Sequence, residues 1–161
     1  MIILKINAKK CMSELLLKET FDSFSLIEGD ITTFNQFHIN GYLQRDFFEE
    51  DAIPSMQYSA WGDLRELCFS LIKGQRTPLN FKFILALSKE DMLKLYSKDS
   101  FTFPFDSIQG LYLNLSYNGD VLQCTTGISF HTFIPDKSLE QHWDNYAKKL
   151  LEEHDISFEA L

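Results

Sequence analysis

Along residues 2–6 every second position, Ile2, Leu4 and Ile6, is apolar and falls on one face, which predicts a strand. Asn7 is a good helix cap, and Cys11, Met12, Leu15, Leu16 and Glu19 then fall at helical spacing, predicting a helix over about 8–19. Strands are predicted over 24–28, 31–35 and 37–43, with a turn at Gly29-Asp30 and a bend near Asn35-Gln36. Residues 44–60 are polar, acidic and contain Pro54, so they read as a loop. Ser59 can cap a helix over about 60–73, whose apolar stripe is Trp61, Leu64, Cys68, Leu71 and Ile72 and whose stop is Gly74.

The second half opens with the clearest alternation in the chain: Leu79, Phe81, Phe83, Leu85 and Leu87. Ser88 and Asp91 resemble a capping box for a helix over about 89–98. A Phe-rich loop follows, Phe101-Thr102-Phe103-Pro104-Phe105, and Leu111, Leu113, Leu115 and Tyr117 then alternate as a strand. Asn118-Gly119 predicts a hairpin whose type I′ turn places both residues at positive φ. The return strand covers 121–126, Gly127 marks a break, and a further strand covers 128–134 up to Pro135. Ser138 and Gln141 cap a last helix over about 137–154, with Leu139, Trp143, Tyr146 and Leu150 as its core stripe.

The two halves match each other. Leu4-Lys5-Ile6-Asn7 leading into Ala8-Lys9-Lys10 corresponds to Leu85-Ala86-Leu87-Ser88 leading into Lys89-Glu90-Asp91. Thr32-Thr33-Phe34-Asn35-Gln36-Phe37-His38 shares its Thr-Thr and Phe-His ends with Thr125-Thr126-Gly127-Ile128-Ser129-Phe130-His131. The Phe-rich loop has no counterpart in the first half. The expected fold is therefore α+β: one domain over 1–161 with a duplicated βαβββ unit (about 1–43 and 79–134) forming two packed antiparallel sheets. The helices over 60–73 and 137–154 are additions to it. Neither half could cover its own apolar faces alone, and two copies about a pseudo-twofold would share one core.

A duplicated strand–helix–three-strand unit of this kind resembles a single domain of a DNA sliding clamp, as does the hairpin running from Gly110 through Asn118-Gly119 to Gly127. Separately, Ile31-Thr32-Thr33-Phe34-Asn35, the stretch Leu71 to Pro78, and Asp136-Lys137-Ser138-Leu139-Glu140 resemble an uncharacterised family of Firmicutes proteins, which implies a bacterial source and no assigned activity. The clamp resemblance implies that the helices over 8–19 and 89–98 line a channel, with Lys9, Lys10, Lys18, Lys89, Lys94 and Lys98 facing nucleic acid. Ordinary solvated helix faces account for the same lysines. The chain departs from clamps in carrying one such domain, so a ring would need a homo-hexamer, and in its added helices, which would cover ring contacts. Gln44-Arg45-Asp46-Phe47-Phe48 also resembles the short Gln-led peptides that dock onto bacterial clamps; the alternative is that Phe47 and Phe48 pin the loop to the core.

Composition narrows the function further. A net charge of −8 excludes a uniformly basic nucleic-acid binder, so any DNA contact must be local. Cys11, Cys68 and Cys124 are far apart and odd in number, and no leader-like segment or apolar run of roughly 18 residues occurs. A cytoplasmic protein with reduced, buried thiols and no membrane contact is the expectation. No nucleophile elbow, phosphate loop, dinucleotide fingerprint or metalloprotease motif is present, so no catalytic residue, cofactor or metal is assigned. His38 and His131, equivalent in the repeat, would face each other across the pseudo-twofold and could hold a metal; two ordinary strand residues are the alternative. The acidic run Glu49-Glu50-Asp51 reads as a solvated loop. The leading expectation is a non-enzymatic binding module for a protein partner, engaged through its sheet surface or through Phe101, Phe103 and Phe105, or for DNA through the six lysines, with homo-oligomers allowed; the alternative for the three Phe rings is that they close the core under the second sheet. The alternative is a small-molecule sensor with an aromatic cleft between the repeats. With 15 Phe in the chain, together with Trp61, Trp143 and Tyr146, aromatic walls are available.

Overall fold

A computed structural model describes residues 1–161. In chain order it contains β1 (Ile3–Ile6), α1 (Ala8–Leu16), β2 (Ser25–Thr32), β3 (Gln36–Asn40), α2 (Trp61–Ile72), β4 (Asn80–Ala86), α3 (Lys89–Tyr96), β5 (Ile108–Tyr117), β6 (Leu122–Phe130), α4 (Ser138–Glu153) and β7 (Phe158–Ala160). Short 3-10 turns occupy Arg45–Phe47, Glu50–Ala52 and Phe105–Ser107. The fold is mixed α+β. All strands join one antiparallel 7-stranded sheet in the order β3-β2-β4-β5-β6-β1-β7.

This corrects the expectation of two packed sheets. The strand alternation supplies one apolar face only, and a single sheet satisfies it. Register places Leu26, Gly29 and Ile31 of β2, Phe81, Phe83 and Leu85 of β4, Leu113 and Leu115 of β5, Leu122 and Cys124 of β6, and Leu4 and Ile6 of β1 on that face. All are buried. The helices cover it: the Trp61 ring of α2 meets Phe83 at 5.1 Å, and Asp144 of α4 accepts a hydrogen bond from Thr126 of β6. The other face carries Asp30, Lys82, Asn114, Ser116, Gln123, Thr125 and Lys5, exposed or half-buried.

Both halves run strand, helix, strand, strand, an element order of βαββ rather than the expected βαβββ. Two expected strand breaks are absent. Gly29 continues β2 because the Phe83 ring fills the space its side chain would take; a Cβ there would lie 2.9 Å from Phe83 Cδ1. Gly127 continues β6 opposite Tyr112. The hairpin between β2 and β3 turns instead at Thr33–Asn35. The matched segments 32–38 and 125–131 consequently occupy unlike places, one spanning a hairpin turn and the other running along β6 and past its end. Strand pairing is also not interchangeable between halves: β4 lies between β2 and β5, whereas β1 lies between β6 and β7. In the β5–β6 hairpin only Gly119 takes positive φ (99°), so the turn is centred on Gly119-Asp120, with the Asn118 carboxamide oxygen accepting from Asp120 N and Val121 N.

Both helix-to-strand connectors bury aromatic side chains. Phe21 and Phe24, between α1 and β2, are buried, and so is Phe103, between α3 and β5. In each case aromatic rings fill the space between a helix end and the strand it feeds.

Candidate functional site

The sheet has two β-bulges. One sits in β2 between Leu26 and Glu28, the other in β5 between Ile108 and Gly110, and each leaves one residue unpaired: Ile27 and Gln109. β2 and β5 flank β4, and both bulges lie at the end of the sheet where β4 finishes. A bulge kinks its strand and re-aims a side chain. Here both extra residues line one cleft of about 470 Å³.

Sequence-distant segments make the other walls. The cleft is lined by Met56, Gln57 and Tyr58 from the long loop, by Leu87, Lys89 and Met92 at the start of α3, by Phe105 and Asp106 from the Phe-rich connector, by Tyr112 on β5 and by His131 just past β6. Two glycines allow this shape. A Cβ at Gly110 would overlap Tyr112 Oη and Cζ, so the absence of a side chain lets the Tyr112 ring lie back along its own strand. A Cβ at Gly41 would overlap the Leu26 carbonyl oxygen, so only glycine lets the chain leaving β3 run flush against the β2 bulge, where Gly41 N donates to Ile27 O at 2.9 Å. The loop then returns through a Tyr42–Tyr58 bridge, and the Arg45 guanidinium holds its neck by donating to the Pro54 and Met56 carbonyls.

The cleft mixes apolar walls with separate polar groups. Burial, and then the neighbouring Tyr58, push the Tyr112 phenol above its ordinary value, so it stays protonated and can donate. Lys89 and Asp106 take part in no ion pair of the chain. No hydrogen bond joins a cleft hydroxyl to a cleft His or Asp; the Gln109 carboxamide oxygen instead accepts from Ser129 Oγ at 2.7 Å. The arrangement suits reversible binding of a molecule with a flat apolar part and several hydrogen-bonding groups.

The residues singled out in the sequence are scattered. Lys10 and Lys18 both pair with Glu14, at 3.3 and 3.2 Å, and Lys94 pairs with Glu90 and Asp91. Lys9 and Lys98 make no ion pair, and Lys89 alone of the six lines the cleft. Phe101, Phe103 and Phe105 form no exposed patch, and the core-closing alternative is the one the structure takes. The three rings wrap around Tyr96 with centroids at 5.2, 6.0 and 5.4 Å, and Phe103 is buried against Phe130. They close the core because the connector passes between α3 and the sheet; only Phe105 reaches the cleft. His38 and His131 do not face each other. β3 and β6 are four strand spacings apart, roughly 19 Å at about 4.8 Å each. His38 pairs instead with Asp30 at 2.7 Å. Phe47 does not pin its loop either, being 86% exposed.

Ile27, Gln109, Tyr58 and Tyr112 were not picked out from the sequence. A bulge depends on the register of a neighbouring strand, which local pattern does not carry. The one local trace is the Gly110–Tyr112 spacing, which puts both residues on one side of a strand.

No helix of the chain is long and apolar enough to cross a membrane. Neither the curated proteins nor the solved structures contain a match to the sequence. The profile of a family of unknown function, DUF5721, matches residues 14–159, which takes in every cleft-lining segment, and the chain belongs to that family.

Proposed function

We propose that the protein is a non-enzymatic small-molecule-binding module whose ligand occupies the cleft between the two βαββ halves. The observation that carries this reading is the pair of bulges. The second strand of each half breaks its pairing near its start, at the same end of the sheet, and turns its extra residue into the same cavity. An origin of the two halves by duplication fits that correspondence. A volume of about 470 Å³ lies within the roughly 300–1,000 Å³ range of small-molecule sites. Tyr58, Tyr112, Phe105, Met56 and Met92 offer surfaces for a planar ring, and Gln57, Gln109, Lys89 and Asp106 offer donors and acceptors around it.

Amide-resolved NMR with a library of planar, polar fragments tests the proposal. Binders should shift resonances in 25–27, 55–58, 86–92, 105–112 and at His131. Tyr112→Ala should weaken them by about tenfold, the scale of truncating a central aromatic contact. Binders that map elsewhere, or that bind Tyr112→Ala as tightly as the parent chain, would refute it.

A further inference from the structure

A second feature lies at the opposite end of the sheet. The β2–β3 hairpin tip and the segment joining α2 to β4 enclose an open groove of about 630 Å³, lined by Thr33, Phe34, Leu71, Lys73, Arg76 and Leu79 among others. Phe34 is 87% exposed and Leu79 is 64% exposed, so the groove presents apolar surface to water. Its charge runs against that of the whole chain. Residues 31–37 and 71–79 contain no Asp or Glu in a protein of net charge −8. Neither Lys73 nor Arg76 joins an ion pair; Lys73 Nζ rests over the Phe69 ring at 5.7 Å.

The complement of this groove lies on the same chain. Asp46-Phe47-Phe48-Glu49-Glu50-Asp51 carries acids around an 86% exposed Phe47, and none of those acids is in an ion pair either. The segment is held in shape by two 3-10 turns, by the Arg45 bonds to Pro54 and Met56, and by edge-on packing of Phe47 against Phe48 at 5.6 Å. A preorganised projection loses little freedom on docking. It does not reach its own groove, because β3 stands between them with its five residues, roughly 17 Å at about 3.4 Å each.

We propose that the groove binds the acidic, Phe47-tipped loop of a second copy of this chain, with Phe47 between Phe34 and Leu79 and the acids facing Lys73 and Arg76. Two different surfaces meet, so the contact is head-to-tail and generates chains or rings rather than a symmetric dimer. It stands on other residues than the cleft and does not depend on what the cleft binds.

Sedimentation velocity on the full chain, from about 10 µM to 1 mM, reads the outcome, the upper limit being the range of a weak, millimolar-class contact. The expected result is a mean mass that rises with concentration. Arg76→Glu blocks the groove and Phe47→Ala blocks the loop, and each variant alone should stay monomeric. Both side chains are at the surface, and circular dichroism confirms that the variants are folded. Each variant keeps the half that the other has lost, so an equimolar mixture should form one discrete 1:1 dimer and nothing larger. A parent chain that remains monomeric throughout would overturn the proposal. So would variants that assemble like the parent, or a mixture that yields no dimer. A synthetic peptide of residues 43–55 that binds a chain which never self-associates would also overturn it, showing that the groove takes this chemistry from another protein.

Discussion

Glu14 shows how one buried side chain couples the fold to pH. It sits on the inner side of α1, 3% exposed. Burial alone would raise its carboxyl, but hydrogen bonds from the Thr20 hydroxyl and the Lys18 and Lys10 ammonium groups outweigh that and hold it at about 2, below the ordinary 4.5. A carboxylate whose folded value lies below its unfolded one stabilises the fold fully above the unfolded value, and that stabilisation fades as pH falls toward the folded value. Glu14→Gln should therefore lower the urea midpoint at pH 7, and its deficit against the parent should shrink between about pH 4.5 and 2. A deficit that is constant across that window would show that Glu14 acts by packing alone. The three cysteines are the opposite case. Burial pushes Cys68 and Cys124 up to about 12 and Cys11 higher still, so the thiols stay protonated core residues, as their spacing suggested.

Elements ended where local chemistry could end them and strayed where a distant contact took over. Asn7 and Ser88 were legible as caps, and both accept the expected backbone bond, from Lys10 N at 2.8 Å and Asp91 N at 3.2 Å. Ser59 does not cap α2. Its carbonyl accepts from Leu26 N at 2.9 Å instead, and the first amides of α2 are met by the Phe24 and Asp22 carbonyls. No property of residues 59–62 announces a cap supplied from 22–24. At the other end of α4, the Ile156 amide bonds to Leu151 O and the Asp155 amide to Glu152 O, while Ile156 and Leu151 are both buried. This is a Schellman stop with Asp155 in the left-handed region at φ 56°. Only glycine adopts that region without a Cβ penalty, and an acid at a helix C-terminus also opposes the helix dipole. Asp155→Gly should stabilise the protein by about 0.5–1 kcal/mol in chemical denaturation. Lost stability would show that its carboxylate holds a compensating contact. The stop turns the chain back so that β7 can pair with β1, a strand of three residues too short to be read from alternation.

At the scale of the molecule, one cluster of 30 buried residues runs under β1, β2, β4, β5 and β6 and includes Trp61 of α2 and Trp143 of α4. Each indole donates to a backbone carbonyl outside its own helix, Trp61 to Leu15 at 2.8 Å and Trp143 to Tyr112 at 3.0 Å. A single core predicts cooperative unfolding. In Trp61→Phe and Trp143→Phe variants, fluorescence of the remaining indole should report the same midpoint as far-UV circular dichroism. Each variant should lose about 1 kcal/mol or more, since a carbonyl loses its partner. An indole signal that moves ahead of the backbone signal would mean that the halves unfold separately. The positions of the four helices, of most strands and of many core residues were written in the 2- and 3.6-residue periods, because burial on one face imposes those periods wherever an element forms; along α4 the buried stripe is Leu139, Trp143, Ala147 and Leu151, with Ala147 and Leu151 in place of the expected Tyr146 and Leu150. Periodicity says which side of a strand is buried, but not which strand lies next to it. The joining of all strands into one sheet, the seating of β4 between β2 and β5, the two bulges that open the cleft and the outward display of Phe34 and Phe47 all depend on partners far along the chain, and they became fixed only when those partners met.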